Sequence, residues 1–76
     1  MTPFVRTVID IIKERGMYDG IDAYKLREAL MDRGMGKHPA GVAMNLIKLA
    51  FKGEYITQYI HHNERVFMLT AKGKAS

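Results

Sequence analysis

The chain has 76 residues, is 47% hydrophobic, carries a formal net charge of +4 and contains no cysteine. That length allows a single domain, which buries only ~60% of the surface its unfolded chain exposes, and it is too short for a nucleotide-binding α/β domain. The lack of cysteine rules out disulfides and thiolate metal sites, and no apolar run approaches the ~18 residues needed to cross a bilayer.

The charges are unevenly placed. Residues 1–36 hold six Lys/Arg and six Asp/Glu, whereas residues 37–76 hold six Lys/Arg against Glu54 and Glu64 alone. All the excess positive charge lies in the second half, a pattern that points to an anionic partner, with nucleic acid the usual candidate.

In chain order, Thr2-Pro3 is a helix-start signal, because a Thr hydroxyl caps free N–H groups and Pro suits the first turn. Phe4, Val5, Val8, Ile9 and Ile12 recur at helical spacing until Gly16, which predicts a core-facing helix over about 3–15. Charges at Arg6, Asp10, Lys13 and Glu14 interrupt this stretch, so it does not read as a signal peptide. The expected compartment is the cytoplasm, of a bacterial or phage-infected cell on the resemblance drawn below. Asp19-Gly20 is turn chemistry. Asp22 is a good N-cap for a second helix over about 22–33, with Ala23, Leu26, Ala29 and Leu30 inward and Gly34 just past its end. Pro39 opens a third helix over about 39–52, with Val42, Leu46, Leu49 and Ala50 inward and Gly53 as its stop. The period then changes to that of strands. YITQYI (55–60) and RVFMLT (65–70) predict a hairpin around His61-His62-Asn63-Glu64, with Phe67 and Leu69 inward. The tail, 71–76, is expected to fray.

Several chemistries can be weighed and set aside. Gly36-Lys37 has the look of a phosphate loop, but His38 stands where Ser or Thr must hold magnesium, and Met31 stands at the first glycine. His61-His62 with Glu64 supplies too few ligands for a metal site, since neighbouring strand side chains point to opposite faces. No Cys nucleophile is present, and the carboxylates sit one turn from cations, as in Arg6–Asp10, Asp10–Lys13 and Glu28–Asp32 beside Arg27. No enzyme and no cofactor is expected.

A helix-turn-helix remains. On the third helix His38, Gly41, Asn45, Lys48 and Lys52 recur at spacings of three and four, forming one face opposite Val42, Leu46 and Leu49. Asn45 can bond adenine bidentately and Met44 can touch a thymine methyl, while Gly41 and Ala40 permit close approach to a groove. Lys37, Lys48 and Lys52 suit phosphates, which fix position rather than sequence.

Residues 22–34, then 37–53, then EYI, a hairpin and RVFMLTAKG together resemble the winged helix-turn-helix domain of small bacterial and phage transcription regulators. Gly53, Tyr55-Ile56 and Leu69-Thr70-Ala71-Lys72-Gly73 stand where that family has a Gly with an apolar pair and a Leu-Thr-x-x-Gly-like ending. The resemblance spans about residues 3–73. It implies a mostly α domain with a small β-hairpin, three helices followed by a two-stranded wing, that binds duplex DNA as a transcription regulator. The third helix would then enter the major groove. His61, His62, Asn63 and Arg65 would form the wing tip, on the backbone or in the minor groove, where an inserted guanidinium is favoured. The alternative is a protein-interaction module or homodimer on the same fold. Met44, Ile47, Phe51 or the Tyr55/Tyr59 face, if exposed as one apolar patch, would mark such a surface.

Overall fold

The computed structural model describes residues 1–35 and 47–76. The elements are α1 (Pro3–Arg15), β1 (Ile21–Asp22), α2 (Ala23–Asp32), α3 (Lys48–Lys52), β2 (Ile56–His61), β3 (Glu64–Leu69) and α4 (Ala71–Ala75). The fold is therefore mixed α/β, with four helices among the described residues and a three-stranded antiparallel sheet in the order β1-β3-β2. The expected hairpin is present, with one strand and a C-terminal helix beyond the three helices and two strands expected.

α1 forms where its pattern demands. Thr2 Oγ1 accepts the Val5 N–H at 3.1 Å, Pro3 occupies the first turn, and Phe4, Val5, Val8, Ile9, Ile11 and Ile12 are all buried. This stripe is wide because four elements cover it: α1 packs on α2, on β3, on α3 and on α4. α2 starts at the Asp22 cap, whose Oδ1 accepts the Lys25 N–H at 2.8 Å. It ends in a pair of backbone bonds, Gly34 N–H to Met31 O and Met35 N–H to Leu30 O, both 2.9 Å. These close the last turn only because Gly34 sits at φ 73, a left-handed conformation that costs glycine nothing sterically.

α3 falls inside the helix expected over 39–52, whose residues 39–46 lie outside the described part. Its inward face differs from the sequence expectation. Ile47 and Ala50 are buried and Phe51 packs tilted against Phe67 with ring centroids 5.9 Å apart, whereas Leu49 is turned outward. Ile47, Ala50 and Phe51 are three and four apart, so they form an equally regular stripe rotated from the one built on Leu49. The helix ends with Glu54 N–H on Phe51 O and Tyr55 N–H on Ala50 O. Gly53 ends the helix as expected, and the residue after it, Glu54, is left-handed at φ 63.

The hairpin is tighter than expected. His61 pairs with Glu64, leaving a two-residue turn of His62 and Asn63 at φ 50 and 65. Positive φ at both central residues makes the turn whose twist matches that of the strands, and Asn tolerates it well. Each strand thus gains one residue toward the tip. β1 was not foreseen, since two residues carry no alternation; it exists because Ile21 and Asp22 pair with Phe67 and Val66.

The tail is also corrected. Residues 71–75 form a helical turn held at its start by Thr70, whose Oγ1 accepts the Gly73 N–H at 3.1 Å and donates to Glu54 O. A Cβ on Gly73 would fall 2.1 Å from the Tyr55 carbonyl oxygen, so only glycine lets this turn seat against the β2 entry. Lys72 Nζ donates to Gly53 O at 2.8 Å and lies 4.6 Å over the Tyr55 ring, and Lys13 and Arg6 both donate to Ser76 O. These bonds all join the tail to distant elements. A reading of the tail's own six residues had no access to them.

Candidate nucleic-acid interface

Five of the residues expected to meet DNA, Lys37, His38, Gly41, Met44 and Asn45, lie outside the described residues. The others fall on two elements. Lys48 and Lys52 are exposed, one turn apart on α3, and His62, Asn63 and Arg65 are exposed at the hairpin end. α3 packs against β2, the strand that leads into the hairpin turn. The core residues Ile47, Ala50 and Phe51 face inward, which directs Lys48 and Lys52 to solvent.

Arg65 is the most constrained of these side chains. Its Nε and Nη2 both donate to Gln58 Oε1, at 2.9 and 2.8 Å, and its guanidinium carbon lies 5.1 Å above the Phe67 ring centroid. A bidentate bond and a ring contact remove much of the rotamer freedom that an exposed arginine otherwise loses on binding. Ile60 pairs directly with Arg65 across the strands and is 64% exposed. Gln58, Ile60 and Arg65 therefore share one sheet face at the outer end of the hairpin. Gln58 and Ile60 were absent from the sequence expectation, although the strand register that joins them was legible once 60 was set opposite 65.

The turn itself is less organised for contact. The His61 and His62 rings meet edge-on at 4.1 Å, and Tyr59 lies against His61 at 6.4 Å. Tyr59 is held by donation from its hydroxyl to Asp19 O at 2.9 Å. Among the described residues, no group of three His, Asp or Glu side chains converges as metal ligands, and no helix is long and apolar enough to cross a membrane.

The ion pairs divide the molecule. Arg6–Asp10 at 3.7 Å, Lys25–Asp22 at 3.9 Å and Arg33–Glu14 at 2.6 Å all fall within residues 1–35. Among the described residues, Lys48, Lys52, Arg65, Lys72 and Lys74 make no ion pair, and residues 36–46 contain no acid that could supply one. Lys72 is bound to a backbone carbonyl. Lys48, Lys52 and Arg65 thus present positive charge that is tied into no ion pair among the described residues.

No family model, curated protein or solved structure matches the chain.

Proposed function

We propose that the chain is a duplex-DNA-binding module of the winged helix-turn-helix kind, acting as a small transcription regulator rather than an enzyme. The observation that carries this reading is the exposed set Lys48, Lys52 and Arg65, which make no ion pair among the described residues and lie on α3 and β3, two elements that meet through Phe51 and Phe67; in the N-terminal half three of the six cations are paired. The element order supports it: helix, short strand, helix, helix, hairpin, with β1 lying beside β3. In this reading the helix over 39–52 enters the major groove, with His38, Gly41 and Asn45 toward the bases, Met44 beside Asn45, and Lys37 on the phosphates. Lys48 and Lys52 neutralise phosphates, and His62, Asn63 and Arg65 follow the backbone or the minor groove.

The protein-docking alternative required an apolar patch, and two of its members are engaged elsewhere: Ile47 is buried and Phe51 packs on Phe67. That leaves electrostatics as the stronger lead. The test is fluorescence anisotropy with a labelled duplex across a salt series. With about four to six phosphate contacts, log affinity falls with log salt at roughly −0.9 per contact. A flat salt response, or no binding at low salt, rejects the proposal. Asn45→Ala is expected to cost ~1–3 kcal/mol at a preferred site and much less elsewhere.

A further inference from the structure

β2 lies at one edge of the sheet, with β3 on one side and no strand on the other among the described residues. Its register shows which backbone groups face outward. Thr70 N–H donates to Tyr55 O, and bonded pairs alternate from there, so Thr57, Tyr59 and His61 are the β2 residues bonded to β3. The N–H and C=O groups of Ile56, Gln58 and Ile60 therefore point away from β3, along the outer edge.

Edge strands are normally guarded by brevity, charge, proline or a bulge. The opposite edge of the sheet, β1, is two residues long. β2 is six residues long, ITQYIH, and has no Lys, Arg, Asp, Glu, Pro or Gly. It pairs with β3 residue for residue, without a bulge, and Thr57 to His61 are all exposed, Ile60 to 64%.

The strand also matches itself. Two copies set antiparallel about a two-fold axis at Gln58 place Ile60 of each beside Ile56 of the other, Thr57 beside Tyr59, and Gln58 beside Gln58. In this register outward groups meet outward groups, 58 with 58 and 56 with 60, each pair exchanging both N–H···O bonds. Slipping one strand by a single residue would set them against groups already bonded to β3. The same register carries the exposed Glu54, two residues before β2, toward the exposed His61 and His62 of the other copy, an acid toward two imidazoles.

We propose that the outer edge of β2 binds a second copy of this chain, joining two three-stranded sheets into one continuous antiparallel sheet. The pairing rests neither on DNA binding nor on an apolar helix surface. Two strands this short bury less than the ~1,200 Å² at which standard interfaces begin, so the dimer is weak, with a dissociation constant of about 10–500 μM.

The test is sedimentation equilibrium of the full chain, without DNA, from about 10 μM to 1 mM, with amide hydrogen exchange measured at both ends of that range. A monomer–dimer equilibrium is expected. Exchange at Ile56, Gln58 and Ile60 should slow several-fold as concentration rises, and that at Thr57, Tyr59 and His61 much less. Gln58→Lys sets two ammonium groups against each other at the axis, with an Arg65 beside each, and should weaken the dimer at least tenfold. An equimolar mixture of Gln58→Lys and Gln58→Glu should dimerise to within several-fold of the parent, which also shows that the lysine variant is folded. A parent that stays monomeric at about 1 mM overturns the proposal and leaves the edge to an extended segment of another protein. It is equally overturned if Gln58→Lys dimerises as the parent does, if the mixture associates no better than Gln58→Lys alone, or if the concentration-dependent protection falls outside Ile56, Gln58 and Ile60.

Discussion

Residues 3–33 and residues 47–74 use their charges in opposite ways. In the first stretch, cations and acids are equal in number and form the ion pairs Arg6–Asp10, Lys25–Asp22 and Arg33–Glu14. In the second, Lys48, Lys52 and Arg65 are exposed and make no ion pair among the described residues. Both stretches contribute to one core, α1 and α2 from the first and Ile47, Ala50, Ile56, Phe67 and Leu69 from the second. The contrast is therefore in the surfaces alone. It separates a stretch with three ion pairs and no net charge from one with an excess of cations and no ion pair among the described residues.

That comparison can be broken at its core first. Phe67 is fully buried between α1 and Phe51, and Phe67→Ala is expected to cost ~3–5 kcal/mol in chemical denaturation. A smaller loss would mean that the two stretches do not share one core. Gly73→Ala forces a Cβ against the Tyr55 backbone, and about 1–3 kcal/mol of destabilisation follows from overpacking. If its denaturation midpoint matches the parent's, the C-terminal turn does not seat as described.

The surfaces are tested by paired substitutions. Lys48→Ala and Lys52→Ala should each lower the salt slope of DNA binding by about 1 and weaken all sequences alike. Arg6→Ala and Arg33→Ala, in the paired region, should leave that slope unchanged. Equal effects in both regions would erase the distinction. The smallest expected effects are on stability. Glu54→Gly relieves a left-handed backbone and should stabilise by about 0.5–1 kcal/mol. Arg33→Ala breaks an exposed ion pair, which is worth at most ~1 kcal/mol.

The candidate site was legible in part. Lys48, Lys52 and Arg65 were expected at the surface, and there they stand. Their spacing alone carried that, because exposure of a helix face follows from where the apolar residues fall. Gln58 was not foreseen, because its bond to Arg65 joins diagonal positions of the two strands and depends on how both side chains turn.

The amino-acid sequence by itself determined the capped helices α1 and α2, the hairpin and the uneven charge, since each depends on residues within a turn or two of one another. Thr2, Asp22 and Gly34 act on their immediate neighbours, and their roles can be read without the fold. Only the tertiary structure decided the inward face of α3, the third strand and the C-terminal helix. Ile47 and Leu49 are equally apolar, and what separates them is which one meets α1 and β3. β1 is too short to form without β3, and Thr70 and Gly73 hold the tail only because Glu54 and Tyr55 are there to receive them. In each of these cases the stabilising partner is distant in sequence, and local pattern carries no record of it.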